Sequence, residues 1–185
     1  ENVKSVFEDM AASKEITYEF TSEMPACKVW IDQDKMEKVL TNLLSNSFKF
    51  TPAGGKIGIH ILEDAGKVFI SVRDNGIGIS RDKIDKIFDR FYTEGTPSMG
   101  TGIGLHLTQE FIKMHHGQIV VDSVPNEYTL FTVELQKGKD HLIDCCSVEQ
   151  PDVLYNSVPD TMNVELQDDL LTRKYNYTIL LVEDD

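Results

Sequence analysis

Residues 56–64 (KIGIHILED) and 67–74 (KVFISVRD) carry apolar side chains at every second position. That period predicts two half-buried strands, and the polar step over residues 64–66 predicts a hairpin between them. GQIVVDS and YTLFTVELQ repeat the alternation and predict a closing strand pair. ITYEFTS and KVWID read as two shorter strands. From Asp34 the period lengthens: Met36, Leu40, Leu43, Leu44 and Ser47 gather on one side of a long helix. Asp34 is expected to cap that helix, with Glu37 completing a capping box. Residues 1–13 read as the end of a helix. Ser80 is expected to cap a short helix, and residues 104–115 form another. Strand-like and helix-like segments thus alternate across short turns, which predicts an α+β domain in layers.

Composition narrows the classes of function. The chain has 185 residues, 41% hydrophobic and 26% charged, enough for one substantial core. Its formal net charge is −13, and no basic stripe interrupts the acidity. The electrostatic attraction that dominates nucleic-acid affinity is missing, so no nucleic-acid partner is expected. Anionic lipid would be repelled, and no apolar run approaches the roughly 20 residues that cross a bilayer, so no direct membrane contact is expected. Cys27, Cys145 and Cys146 offer neither a disulfide framework nor metal-ligand spacing, which points to a reducing, cytoplasmic compartment. No initiator Met or signal pattern opens the chain, so residue 1 reads as a cut point in something longer. Residues 137–185 hold 4 Lys and Arg against 11 Asp and Glu, a balance of −7 in about a quarter of the length. The shift near Gly138 predicts a boundary. An acidic linker is expected over 137–176, with at most a short helix over 164–173.

Three clusters carry candidate chemistry. On the long helix, Asn42, Asn46 and Lys49 share one narrow face with Lys35 and Lys38. Such a face is ordinarily just solvated. Asparagine is a poor helix former, however, and two neutral amides beside a lysine suit a metal ion or phosphate oxygens. RDNGIGIS, residues 73–80, follows a strand. Its Asn-Gly would usually turn a hairpin, but the apolar spacing of Ile79, Ile84, Ile87 and Phe88 predicts a helix next. Asp74 then ends a strand beside Gly76 and Gly78, a carboxylate at a spot open to close backbone approach. GTGIGLHLTQEF, from Gly100, leads glycines into a helix start, where backbone amides and the helix dipole favour phosphate. It is neither a P-loop nor a dinucleotide-binding fingerprint.

In this order, with FDRF at residues 88–91 before the last cluster, the sequence resembles the catalytic and ATP-binding domain of sensor histidine kinases. These belong to the GHKL superfamily with the Bergerat fold, a two-layer α/β sandwich with a mixed sheet. The resemblance covers residues 15–136, with residues 1–14 as the end of a preceding dimerisation helix or connector. NLLSNSFKF looks like the N-box, DNGIGI the first glycine box, FDRF the F-box and GTGIGL the second glycine box.

The resemblance implies that Asn46 holds Mg²⁺ against the phosphates of ATP, with Asn42 and Lys49 beside them. It implies that Asp74 accepts from the adenine amine and that Gly78 lines the base. Phe50, Gly76, Ile79, Phe91, Thr101, Gly102, Ile103, Gly104 and Leu105 complete the implied nucleotide contacts, and residues 88–101 form a mobile lid. Phe50 stands where the family often has Tyr, and Thr93 where a basic residue is frequent. His115 is read as structural, and His116 takes a position where the family commonly has glycine. YTILLVEDD, residues 177–185, resembles the first strand of a receiver domain, so the parent would be a hybrid kinase. The implied partners are a histidine-bearing dimerisation domain and a receiver, with a monomeric fragment of a homodimeric parent. None of His60, His106, His115, His116 or His141 opens the acidic run that marks a phosphoacceptor, so the fragment is expected not to phosphorylate itself. Two alternatives stay open: a nucleotide-sensing pseudokinase and a non-kinase GHKL ATPase.

Overall fold

The computed structural model describes residues 3–23, 29–93 and 101–138. In chain order these form α1 (Val3–Ser13), β1 (Thr17–Ser22), α2 (Gln33–Phe50), β2 (Lys56–Asp64), β3 (Lys67–Asp74), α3 (Arg81–Ile84), α4 (Gly104–Met114), β4 (Gln118–Val124) and β5 (Tyr128–Gln136). The five strands make one sheet in the order β1-β2-β3-β5-β4. β1 and β2 are parallel, so the chain must cross over between them, and α2 makes that crossing. The other pairs are antiparallel. The sheet is mixed and layered with helices, as the resemblance implies.

Alternation fixes which face is buried. Ile57, Ile59 and Ile61 of β2, Val68, Ile70 and Val72 of β3, and Phe131, Val133 and Leu135 of β5 all face the helices. The register sets them side by side, with Ile59 opposite Val72 and Val72 opposite Phe131. α2 closes this layer with Val39, Leu43, Leu44 and Phe48, all at most 1% exposed. α1 joins the same core through Phe7 and Ala11, and the Phe7 ring stacks on Phe48 at 5.3 Å between centroids. The β2–β3 hairpin turns through Ala65 and Gly66, both with positive φ, the geometry of a type I′ turn.

Two predicted features differ. The helix cap is Asp32, not Asp34: its Oδ1 accepts from the Lys35 amide at 3.1 Å, and its carbonyl takes the Met36 amide at 3.0 Å. Starting two residues earlier puts Lys35, not Glu37, at the box position, so no capping box forms. Asp34 instead lies in the first turn, where its charge meets the positive helix end. The described residues of KVWID, 29–32, are also not a strand. Val29 makes an isolated bridge to Gly138 before α2 begins, although Val29 and Ile31 are buried. Residues 139–185, which hold nearly all the acidic linker and all the receiver-like strand, lie outside the described residues.

His115 has the structural place expected of it. Its Nε2 accepts from the Asp32 amide at 2.9 Å while Nδ1 donates to the Phe111 carbonyl at 2.6 Å. A neutral imidazole protonated on Nδ1 therefore ties the end of α4 to the start of α2. His116 follows with φ +53°. Its amide bonds to the Lys113 carbonyl and the Gly117 amide to that of Ile112, the paired bonds of a Schellman ending. A left-handed residue with a β-carbon is strained there. His116→Gly is expected to raise unfolding stability by roughly 0.5–1 kcal/mol. A lower urea midpoint for the variant would contradict this account of the helix end.

Candidate functional site

The inward row of β3 runs Val68, Ile70, Val72 and then Asp74, a carboxylate where the pattern calls for another apolar residue. Its cross-strand neighbours are Ile57 and Thr129, and it is 3% exposed. Two donors hold it: Ser47 Oγ reaches Oδ2 at 3.0 Å, and the Gly76 amide reaches Oδ1 at 3.0 Å. Burial pushes the carboxyl above its ordinary value of 3.8, while the Gly76 and Ser47 bonds pull it back in part. Each oxygen keeps a further lone pair, so the group can still accept from a ligand.

The two glycines after Asp74 are close-packed. A β-carbon on Gly76 would lie 2.5 Å from the Phe50 carbonyl oxygen. Gly78 has φ +64°, and a β-carbon there would lie 2.2 Å from the Val124 carbonyl oxygen. The loop is thereby pressed between the end of α2 and the β4–β5 turn, where the Asn126 amide bonds to the Ile77 carbonyl at 2.8 Å.

Asp74 lies in the wall of a cavity of about 470 Å³ between α2, the inner sheet face and the start of α4. That size suits a small-molecule ligand. α2 contributes Asn42, Ser45, Asn46, Ser47, Lys49 and Phe50. The Lys49 ammonium sits 4.7 Å from the centre of the Phe50 ring. Asn42 Nδ2 donates to Thr108 Oγ1 at 2.9 Å, joining α2 to α4. Gly104 opens α4 so near that a β-carbon would lie 2.1 Å from Asn42 Oδ1. No side chain caps that end of α4, which leaves first-turn amides for a ligand or solvent.

Most of the expected residues meet here. Asn42, Asn46, Lys49, Phe50, Asp74, Gly78, Ile79, Thr101, Gly102, Gly104 and Leu105 all line the cavity. Gly76, Phe91 and Ile103 do not. Gly76 is buried behind the Asp74 carboxylate, to which it donates. Phe91 turns out to solvent, 61% exposed, with φ +67° and its amide on the Gly102 carbonyl. Ile103 precedes α4 as its N-cap residue. Much of the expected lid, residues 94–100, lies outside the described residues.

Ser47, expected on the core face, is buried yet lines the cavity and bonds Asp74. Ile77, Ile87, Tyr92, Thr129 and Phe131 also line it and were missed. Thr129 left a signal: it is a polar residue at an inward position of β5, in line with Phe131, Val133 and Leu135. Among the described residues no three His, Cys, Asp or Glu side chains cluster as a metal site. A metal ion here would rest on a neutral amide such as that of Asn46 and on ligand oxygens. That donor set fits Mg²⁺, which protein sites commonly share with substrate phosphates.

Residues 31–139 match the family of histidine kinase-, DNA gyrase B- and HSP90-like ATPases. The chain belongs to this family. Its curated relatives place it on the histidine-kinase branch. It is 32% identical over 194 residues to histidine kinase P4 of Formosa agariphila, a match covering 96% of this chain and 14% of that protein. It is 40% identical to sensor histidine kinase TmoS of Ectopseudomonas mendocina over 72% of this chain, again 14% of the relative's length. The chain thus spans about a seventh of these relatives. Among solved structures, the catalytic domain of histidine kinase ThkA aligns with a TM-score of 0.67 at 30% identity, covering 73% of this chain and 89% of that one. The layered mixed sheet is therefore the GHKL fold of a histidine-kinase ATPase domain.

Proposed function

We propose that this domain binds ATP with Mg²⁺ and donates the γ-phosphoryl group to a histidine on a separate dimerisation domain, for onward transfer to a receiver aspartate. One observation carries the reading: a single cavity joins a buried acceptor, Asp74, to the amides of Asn42 and Asn46, the Lys49 ammonium and the uncapped start of α4. The base would lie toward Asp74, Ile79 and Phe131, giving the carboxylate its exocyclic amine. The phosphates would lie toward Asn42, Asn46, Lys49 and the α4 amides, which match negative charge. Bound Mg²⁺, held by Asn46, would neutralise phosphate charge. Phosphoryl transfer demands positioning and charge stabilisation more than a protein nucleophile, which is what these residues offer.

The relatives' names support the partners proposed: one solved neighbour is ThkA in complex with the response regulator TrrA, 27% identical with a TM-score of 0.63. The acceptor histidine in this reading lies on the separate dimerisation domain; within this domain His60 pairs with Glu23 and His106 with the Phe88 carbonyl. A monomeric domain of a homodimeric parent, working in the cytoplasm, belongs to the same proposal. No described helix is long and apolar enough to cross a membrane.

Calorimetric titration with a non-hydrolysable ATP analogue, with and without Mg²⁺, tests the reading. Wild type is expected to bind more tightly with the ion. Asn46→Ala is expected to weaken Mg²⁺-dependent binding about tenfold, the scale of one charge-assisted contact, and to leave metal-free binding nearly unchanged. Equal losses in both conditions would remove Asn46 from the metal. A second reading, a nucleotide-sensing pseudokinase, draws on Thr93, an uncharged residue in the cavity wall near the lid. Adding the parent's histidine domain in trans separates the two, since a pseudokinase would leave it unphosphorylated.

A further inference from the structure

We infer that Ser47 is a positioning residue that sets base selectivity: its hydroxyl fixes the Asp74 carboxylate so that the free lone pairs meet the exocyclic amine of a purine. The inference rests on the nucleotide reading above. Asp74 is held at both oxygens, by Gly76 from its own strand end and by Ser47 from α2, both at 3.0 Å. The Gly76 amide is backbone and survives any side-chain change. Ser47 supplies the second bond from a position that is 1% exposed.

Removing that hydroxyl would free the carboxyl to rotate about its Cβ–Cγ bond, and would leave one oxygen buried without its donor. At the paired positions β2 offers only the apolar Ile57, and the Thr129 hydroxyl of β5 is already engaged with Ser123 Oγ at 3.3 Å. On α2, Lys49 lines the cavity but lies over the Phe50 ring. Burial and the Gly76 and Ser47 bonds are the influences acting on the carboxyl, with no charged side chain among them. Loss of the Ser47 bond therefore raises the pH at which Asp74 ionises.

The test compares two ligands, a non-hydrolysable ATP analogue and its purine counterpart lacking the exocyclic amine, on wild type and Ser47→Ala. Wild type is expected to prefer the amine-bearing ligand. The variant is expected to lose roughly three- to tenfold of that preference while binding the amine-free ligand as before. A merely structural defect would weaken both ligands alike. In parallel, NMR titration of the Asp74 carboxyl carbon in the ligand-free domain should show its midpoint moving to higher pH in Ser47→Ala. An unchanged preference, or an unmoved midpoint, would overturn the role of Ser47 alone. A wild-type domain that binds neither ligand would overturn the nucleotide reading and this inference with it.

Discussion

Asp74→Asn is expected to weaken binding of an ATP analogue by roughly 10- to 150-fold while the domain stays folded. The size follows from the charge-assisted bond to the base amine, worth about 1.5–3 kcal/mol, which an amide can no longer make in full. An asparagine fits the same space. Its oxygen can take the Gly76 amide and its nitrogen can turn to the Ser47 hydroxyl, so the local bonds survive. Linkage gives the effect on stability. The native carboxyl ionises at higher pH than an unfolded one, because burial disfavours its charge. Its contribution to folding is thus favourable when protonated and is lost as pH rises through the native value. The variant lacks this loss. It should be at least as stable as wild type at pH 7, with the difference shrinking as pH falls through the raised native value and gone by about pH 4. Wild-type affinity for the analogue should in turn fall as acid protonates Asp74. Titration of both proteins at several pH values, with urea unfolding alongside, checks each part. Undiminished affinity in the variant would remove Asp74 from the base site.

Phe48→Ala should have the largest effect on folding, a loss of about 3–5 kcal/mol. Phe48 is fully buried, stacked on Phe7 and edge-on to Tyr18 at 5.5 Å between ring centroids. Its carbonyl also accepts from Lys14 Nζ at 2.6 Å. One side chain therefore joins α1, α2 and β1, and truncation would open a cavity at their meeting point. Domains of this size commonly hold only about 5–15 kcal/mol in total, so a large share of stability would go. Urea unfolding followed by circular dichroism measures it. A loss under about 1 kcal/mol would mean that α1 is not held by this contact.

The alternating strands, the hairpin at Ala65-Gly66 and the apolar face of α2 were legible because burial on one side imposes its period on the chain. The cap was not, since Asp32 and Asp34 are equally suitable residues. The bond from the Asp32 amide to His115 joins residues 83 positions apart, and local sequence carries no trace of it. KVWID has strand composition, but a strand also needs a pairing partner along its length, and within residues 29–32 Val29 finds an isolated bridge.

For the site, the sequence by itself determined the residue types: amides and a lysine along one helix, a carboxylate closing a strand, and glycines before the next helix. Those choices are local, fixed by spacing and by the backbone freedom glycine brings. Only the tertiary structure decided that Ser47 turns to Asp74, that Thr129 stands across from it, and that Phe91 faces solvent instead of the cavity. Register between strands and the seating of α2 on the sheet set these contacts, because each depends on where a distant segment packs.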